Sequence, residues 1–177
     1  YFLAMKFSNT LIYWYLQNRR ELPWRKTNNP YFIWLSEIML QQTRVAQGLD
    51  YYLKFTETFP TVFDLANADE STVLKMWQGL GYYSRARNLH FTAKHIVNEL
   101  NGEFPSTFAA IIKLKGIGDY TAAAIASFAF NEPTAVVDGN VYRVLSRYFG
   151  IETPINSSKG VKEFKNLAQS LIDKKEP

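Results

Sequence analysis

Two carboxylates in unlike stretches of the sequence could divide the work of one reaction. Glu37 belongs to a strongly apolar segment that includes Trp34, Ile38 and Leu40. Such desolvation is expected to raise the pKa of the Glu37 carboxyl until it can carry a proton near neutrality. Asp138 follows a hydrophobic run and is followed by Gly-Asn, which predicts a loop with polar surroundings where a carboxylate stays ionised. The pair could therefore supply a proton donor and a fixed negative charge.

Each carboxylate also has an ordinary structural interpretation. A glutamate such as Glu37, taken alone, is more often an acid on the exposed side of an amphipathic helix. Asp138 could equally cap a helix whose solvated face carries Arg143 and Arg147, which are spaced i and i+4. The local patterns leave both interpretations open.

A second feature with chemical potential is the stretch Gly116-Ile117-Gly118, which joins two helical patterns. Glycine lets a backbone turn tightly and approach another molecule closely. The amides at the start of the following helix would then face outward, and a helix N-terminus readily binds a phosphate. An ordinary turn between two helices with a glycine cap would explain the same residues.

The elements that must position these residues are helices, because apolar residues recur at helical spacing almost everywhere and alternating patterns are nearly missing. The sequence therefore predicts an all-α fold. Asn29 and Pro30 are typical of an N-cap and a first helical position, and the helix they open contains Glu37. Further helices are expected through Leu49 to Phe59, from Asp69 to near Gly79, from Ser84 as N-cap to Gly102, and over 106–113, 120–130, 140–149 and 157–172.

Composition permits several classes of partner and excludes two kinds of site. The chain has 177 residues, 47% of them hydrophobic, and a net charge of +4, which allows nucleic acid as a partner without requiring it. The absence of cysteine excludes disulfides and thiolate metal sites within these residues and fits a reducing compartment. We expect a cytoplasmic monomer, associated with the nucleoid if the source is bacterial.

Several long motifs resemble those of the helix-hairpin-helix DNA glycosylases, and within them the adenine DNA glycosylases of the MutY type. They occur in the order and spacing of that family and cover nearly the whole chain. They comprise Leu22-Pro23-Trp24-Arg25, Pro30-Tyr31, Trp34, the stretch 36–45 (SEIMLQQTRV), the stretch 79–89 (GLGYYSRARNL), the hairpin 111–121 and the stretch 136–147 (VVDGNVYRVLSR).

The resemblance implies roles for the two carboxylates in cleaving the bond between adenine and deoxyribose. That reaction needs an acid to improve the leaving group and a negative charge beside the oxocarbenium-like sugar. The position of Glu37 is that of the proton donor, which later activates water. Asp138 matches the residue that stabilises the cationic sugar or bonds to it transiently. Tyr120 and Asn140 match positions beside the catalytic carboxylates.

The resemblance also implies how DNA is held while adenine is extruded from the duplex. Gln42 and Tyr82 match side chains inserted into the base stack, and Thr43 and Leu80 match contacts to the opposite base. Gly116 and Gly118 match the phosphate-binding hairpin. The adenine pocket would be lined by Arg20, Trp24, Arg25, Leu40 and Val45, and a monovalent cation would be held by the carbonyls of Ile112, Leu114 and Ile117.

Two helical lobes with a DNA cleft between them are the fold that the resemblance implies. One lobe would combine 1–25 with 140–177, and the other would be a central bundle over 26–139 that contains the helix-hairpin-helix at 106–130. The family usually has four cysteine ligands of a 4Fe-4S cluster, which this chain lacks. We expect those cysteines, and the domain that helps to recognise 8-oxoguanine, to lie beyond residue 177 in the full-length protein.

The motifs are compatible with three functions. The first is a monofunctional glycosylase that removes adenine mispaired with 8-oxoguanine or guanine in double-stranded DNA. The second is a bifunctional glycosylase and lyase for oxidised pyrimidines, resembling endonuclease III, which needs a lysine where Tyr120 stands and has no acid matching Glu37. The third is a non-catalytic helix-hairpin-helix DNA-binding domain, which needs neither carboxylate. Tyr120 and Glu37 together favour the first.

Overall fold

The all-α prediction is confirmed by a computed structural model, which describes residues 2–177 and, within the first helix, side chains from Phe7 onward. No β-strand occurs among these residues, and a 3₁₀ turn covers Pro23–Arg25. The α-helices are α1 (Phe2–Asn18), α2 (Pro30–Met39), α3 (Val45–Thr58), α4 (Val62–Asn67), α5 (Glu70–Met76), α6 (Ser84–Leu100), α7 (Phe108–Ile111), α8 (Asp119–Phe130), α9 (Gly139–Phe149) and α10 (Ser158–Leu171).

Side-chain caps set several of the helix starts. Asn29 caps α2 by accepting a hydrogen bond from the Tyr31 amide at 2.9 Å, and Pro30 follows as the first helical residue, as predicted. Ser157 caps α10 through the Gly160 amide at 3.0 Å. The predicted N-cap of α6 is wrong by one position, because Ser84 is already helical and no side chain caps this end.

A large hydrophobic cluster fills the centre of the molecule and extends from α2 to α8. Trp34 is buried there against Phe104, with ring centroids 5.4 Å apart. α8 packs on α2 along a run of seven consecutive buried residues, Thr121–Ser127, of which four are alanines. Small side chains let two helix backbones approach closely, so this packing brings the last turn of α2 beside the first turn of α8.

A second, smaller hydrophobic cluster lies between α1, α9 and α10. Phe7 contributes to it from the first helix, with its ring centroid 5.5 Å from that of Phe149. Phe164 of α10 is fully buried against the edge of Tyr142, at a centroid distance of 5.0 Å. Two residues of the segment that precedes α9, Ala135 and Val137, also pack against this cluster.

Polar contacts join α10 to the segments around it. Lys165 forms an ion pair with Asp119 at 2.8 Å, which ties α10 to the first turn of α8. The Gln169 side chain donates to the Pro133 carbonyl at 2.6 Å and accepts from the Ala135 amide at 2.9 Å. The irregular segment that leads to Asp138 is therefore fixed against α10.

Among residues 2–177, no helix combines the length and the apolar character needed to cross a membrane.

Candidate active site

Glu37 lies in the last turn of α2 and faces a cavity of about 390 Å³. Burial raises the pKa of its carboxyl to about 7. No hydrogen bond or ion pair to this carboxylate occurs among the described residues, so desolvation acts without an opposing charge. The exposed-acid interpretation is therefore wrong, and Glu37 can donate a proton near neutral pH.

The cavity wall contains all five residues that the resemblance assigned to an adenine pocket. Those residues are Arg20, Trp24, Arg25, Leu40 and Val45. The wall also contains residues that sequence reasoning did not single out, namely Tyr15, Leu22, Thr27, Ile33, Ser36 and Phe128. The volume falls within the range of about 300–1,000 Å³ that is usual for small-molecule sites.

Aromatic and cationic side chains define one side of this cavity. Trp24 packs on the edge of Tyr52 with ring centroids 5.0 Å apart. Arg25 places its guanidinium carbon 5.5 Å from the centre of the Tyr15 ring and donates to the Arg20 carbonyl at 3.4 Å. The arginines remain exposed, so this side of the cavity offers hydrogen-bond donors next to a flat apolar surface.

Asp138 is the N-cap of α9 and accepts three hydrogen bonds. Its Oδ1 accepts from the amides of Asn140 at 2.9 Å and Val141 at 2.8 Å, and its Oδ2 accepts from Asn140 Nδ2 at 3.1 Å. Arg143 in turn donates to Asn140 Oδ1 at 2.5 Å. The capping interpretation of Asp138 is therefore correct, and it is compatible with a chemical role because three N–H donors hold the carboxylate in one orientation.

Tyr120 is the second residue of α8 and is influenced by the charges of both carboxylates. It lines the Glu37 cavity and a neighbouring cavity of about 150 Å³ beneath the segment that leads to Asp138. Burial, followed by the charges of Glu37 and Asp138, raises the pKa of its phenol to about 12. Asp138 lines neither cavity, so its link to the Glu37 side of the site is the electrostatic effect of both carboxylates on the Tyr120 hydroxyl. Asn140 contacts Asp138 and does not line the Glu37 cavity.

The residues assigned to the base stack occupy two exposed loops with unusual backbones. Gln42 has a φ of +57° and Tyr82 a φ of +47°, both in the left-handed region that L side chains rarely adopt. The Tyr82 side chain is 65% exposed. Thr43 is half-buried beside Gln42, whereas the Leu80 side chain belongs to the central hydrophobic cluster. A contact of Leu80 with DNA would therefore have to involve its backbone or a small exposed edge.

The hairpin turn packs tightly on α6. Gly116 has a φ of +79°, and a Cβ atom at this position would lie 2.6 Å from Asn88 Cβ. Thr92 donates to the Lys115 carbonyl at 2.8 Å. Gly118 differs, because its φ is −97° and a Cβ there would meet open space. The fold therefore requires a glycine at position 116, whereas no contact within the protein requires one at position 118.

Three hairpin carbonyls were assigned to a monovalent cation. The Leu114 carbonyl accepts from the Ile117 amide at 3.2 Å, and within residues 2–177 the carbonyls of Ile112 and Ile117 accept no hydrogen bond. Free carbonyl oxygens suit a hard cation, so the donor set is compatible with that assignment.

The residues of this chain do not fit an iron-sulfur cluster. The sequence contains no cysteine, and the described residues include no cluster of histidine and acidic side chains that could hold a metal ion.

Arg85 is a further residue of this region that sequence reasoning did not assign. It lies within the 79–89 motif, and its side chain donates to backbone carbonyls on both exposed loops. Any residue can supply a backbone carbonyl, so the motif alone could not show which groups Arg85 binds.

Comparison with known proteins identifies relatives over most of the chain. Adenine DNA glycosylase of Buchnera aphidicola subsp. Baizongia pistaciae is 49% identical over 84% of this chain and 42% of the relative. Adenine DNA glycosylase of Rattus norvegicus is 46% identical over 97% of this chain and 35% of the relative. The chain thus spans less than half the length of these curated relatives.

Solved structures share the fold. A structure of a thermostable thymine-DNA glycosylase superposes with a TM-score of 0.87 at 32% identity, over 96% of this chain and 78% of that one. A trapped covalent intermediate of endonuclease III with DNA superposes with a TM-score of 0.78 at 24% identity, which shows a common fold.

Residues 35–172 match the family described as HhH-GPD superfamily base excision DNA repair protein. This match covers most of the chain and includes both carboxylates, both exposed loops and the hairpin. The chain belongs to the HhH-GPD superfamily of base excision DNA repair proteins.

Proposed function

We propose that this protein hydrolyses the N-glycosidic bond of adenine mispaired with 8-oxoguanine or guanine in double-stranded DNA. The observation that carries the proposal is the buried Glu37 carboxyl, whose pKa of about 7 allows proton donation at neutral pH inside a cavity of adenine-pocket residues. Relatives that are 49% and 46% identical bear the name adenine DNA glycosylase.

The first step is protonation of the base by Glu37. The carboxylic acid gives its proton to a ring nitrogen of adenine, the C1′–N9 bond breaks, and its electron pair leaves with the base. The sugar becomes an oxocarbenium ion. The Glu37 carboxylate then takes a proton from the water that attacks C1′, so one water is consumed and the acid is restored.

Asp138 supports the same step from the sugar side. Its carboxylate is held by three N–H donors and lies in the electrostatic reach of Tyr120. A fixed negative charge stabilises the developing sugar cation and requires no reorganisation during bond cleavage. The two carboxylates thus act on opposite ends of the bond that breaks.

Delivery of adenine to this cavity requires extrusion from the duplex, and the exposed loops are suited to it. Gln42 and Tyr82 project from backbones in the left-handed region, and the Tyr82 side chain is 65% exposed. We infer that these side chains fill the space that the extruded base leaves, and that the hairpin amides hold the phosphate backbone.

Tyr120 favours base release without strand cleavage. A glycosylase that also cleaves the strand uses an amine to form a Schiff base with the sugar, and a phenol cannot form that bond. We therefore assign a monofunctional activity that leaves an intact abasic strand.

The remaining assignments rest on the resemblance. We propose that the full-length protein carries a 4Fe-4S cluster on cysteines outside these 177 residues, and that its preference for 8-oxoguanine depends on further protein outside them. We also propose a monomer that works on DNA inside the cell, in the cytoplasm or nucleoid of a bacterial source.

Thymine opposite guanine is the second candidate substrate, because the solved relative at 32% identity bears the name thymine-DNA glycosylase. The site chemistry favours adenine over thymine. Adenine has ring nitrogens with free lone pairs that can accept the Glu37 proton, whereas the ring nitrogens of neutral thymine offer none.

The test is base release from duplexes with adenine opposite 8-oxoguanine or guanine, thymine opposite guanine, and an oxidised pyrimidine. Abasic strands are revealed by alkali in single-turnover assays. Glu37→Gln keeps the side-chain size and removes the proton donor, so adenine release should fall by at least about 100-fold while binding of the mismatch persists.

Glu70→Gln is the matched control, since Glu70 is an exposed acid whose partner is the exposed Arg87. Adenine release by Glu37→Gln at the rate of this control would remove Glu37 from the mechanism. Release of thymine or the oxidised pyrimidine in place of adenine would overturn the substrate assignment.

A further inference from the structure

Arg85, in the first turn of α6, reaches the C-terminal end of α2. Its Nη1 donates to the carbonyls of Ile38 at 2.9 Å, Met39 at 3.3 Å and Gln41 at 2.6 Å. The last carbonyls of a helix have no partner within the helix and form its negative end, so a cation here is favourable. The same turn of α2 carries Glu37.

The other nitrogen of the guanidinium binds the second exposed loop. Nη2 of Arg85 donates to the carbonyls of Leu80 at 3.2 Å and Gly81 at 3.3 Å. The guanidinium carbon also lies 5.4 Å from the Trp77 ring centre and 5.6 Å from that of Tyr82. The Arg85 side chain therefore spans the two loops and contacts the face of the Tyr82 ring.

The bonded carbonyls have a particular place in the chain. Gln41 and Gly81 immediately precede the two loop residues with left-handed backbones, Gln42 and Tyr82. A hydrogen bond to a carbonyl fixes the orientation of its peptide plane, and the next residue turns from that plane through its φ angle. Arg85 donates to both of these carbonyls, and Trp77 Nε1 also donates to that of Gly81 at 3.0 Å.

We propose that Arg85 is a positioning residue for base extrusion, whose guanidinium fixes the Gln42 and Tyr82 loops in the geometry that inserts into duplex DNA. This inference rests on the proposed function. Arg85 does not line the Glu37 cavity and acts through the two loop residues. A guanidinium that fixes both loops before DNA binds reduces the conformational freedom that is lost when the side chains enter the stack.

A guanidinium suits this task and an ammonium does not. The planar fork of arginine presents donors on two separate nitrogens, which here point to different loops, whereas lysine presents all its donors on one atom. In Arg85→Lys one loop should lose its hydrogen bonds to residue 85 while the charge is kept. Loss of hydrogen bonds to a charged donor should lower extrusion by about 10-fold or more.

The experiment measures extrusion directly. 2-Aminopurine replaces adenine opposite guanine, and its fluorescence rises when it leaves the base stack. We expect Arg85→Lys to reduce the rise at saturating protein, with helix content and thermal midpoint followed by circular dichroism. Arg87→Lys is the matched control, because Arg87 lies on the same helix in an exposed ion pair with Glu70. If Arg85→Lys does not fold, Arg85→Gln replaces it.

A double-variant cycle separates positioning from a general structural role. In a Tyr82→Gly background the inserted ring is gone, so Arg85→Lys should have a clearly smaller effect on extrusion than in the wild-type background. An equal effect in both backgrounds would overturn the proposal. The proposal would also be overturned if Arg85→Lys gave the same fluorescence rise as wild type while Tyr82→Gly gave a smaller one.

The same data distinguish failure of the proposed function. If Tyr82→Gly and Gln42→Gly extrude the base as well as wild type does, the insertion roles fail, and the positioning role of Arg85 fails with them. If extrusion behaves as expected and no adenine is released, the glycosylase assignment fails and the role of Arg85 in extrusion stands.

Discussion

One chemical group serves two roles in this site because its surroundings differ. Glu37 has no polar partner among the described residues, and burial raises the pKa of its carboxyl to about 7. Asp138 accepts two backbone amides and a side-chain amide. Desolvation favours the neutral form of the Glu37 carboxyl. The N–H donors hold the Asp138 carboxylate in one orientation, and both groups act electrostatically on one phenol, that of Tyr120.

Asp138→Asn isolates the charge from the fold. Asparagine caps helices about as well as aspartate, so the thermal midpoint should change little. Removal of the negative charge should slow adenine release by at least about 100-fold, with mismatch affinity nearly unchanged. Single-turnover kinetics and thermal unfolding measure both, with Asp69→Asn at the N-cap of α5 as the control. A normal rate in Asp138→Asn would contradict the assigned role.

Tyr120→Lys places an amine where the phenol is now influenced by the charges of two carboxylates. Partial burial favours the neutral amine, whereas the nearby negative charges favour the protonated form, so only a fraction should be nucleophilic. We expect weak but measurable borohydride trapping and strand nicking without alkali. Wild type and Tyr120→Phe, which lack the amine, should give neither. Efficient trapping by wild type would rule out a monofunctional enzyme.

At the scale of single residues, the sequence identifies side chains that belong to a functional motif. It does not identify side chains that act by binding backbone carbonyls. Glu37 and Asp138 could be found because their local patterns differ, and the resemblance supplied their roles. The contacts of Arg85 go to carbonyls, which any residue could provide. Tyr15 and Phe128 reach the cavity only through the packing of distant helices.

Among the elements, the hairpin makes two different demands on its glycines. Gly116→Ala introduces a side chain at a φ of +79° and a Cβ 2.6 Å from Asn88 Cβ, so unfolding should become easier by roughly 1–2 kcal/mol. Gly118→Ala should be close to neutral, because its φ is −97° and its Cβ would meet open space. Chemical denaturation measures both changes in stability.

The same pair of variants tests the DNA contact. If the hairpin backbone approaches a phosphate, a methyl group at 118 should weaken duplex binding without a loss of stability. Unchanged DNA affinity in Gly118→Ala would show that the close approach assigned to this hairpin lies elsewhere.

Most long helices were predictable, two of them with their capping side chains, whereas two other helices were not. Asn29 and Ser157 mark their helices in the sequence and cap them in the structure. α1 and α4 were not predicted. α4 has a capping box of Thr61 and Asp64 but only six residues, which is too short to show helical periodicity. The predicted helix over 106–113 is reduced to Phe108–Ile111.

For the whole molecule, the site lies where segments distant in sequence meet. α2 supplies Glu37 from the central cluster, and the segment that leads to Asp138 packs on the second cluster. The Lys165–Asp119 pair and Gln169 join α10 to the segments next to Tyr120 and before Asp138. The relative placement of the two carboxylates thus depends on packing between α10 and the rest of the chain, which no local pattern specifies.

The raised pKa of the Glu37 carboxyl should lower the free energy of unfolding of the protein at high pH. The pKa of Glu37 is raised from 4.5 to about 7 on folding, so its stabilising contribution is complete below pH 4.5 and is lost as pH rises through 7. Glu37→Gln does not ionise. Its free energy of unfolding relative to wild type should therefore increase between these limits, by up to about 3 kcal/mol.

Denaturant unfolding of both proteins from pH 5 to 9 tests this expectation, since only the difference between them is needed. Burial lowers the pKa of His90, which weakens folding as pH falls below the usual range of histidine, but this effect is common to both proteins and cancels. Buffer and net-charge effects cancel in the same way. A difference that is constant with pH would mean that Glu37 titrates alike in the folded and unfolded states, and it would remove the electrostatic basis for its role as the acid.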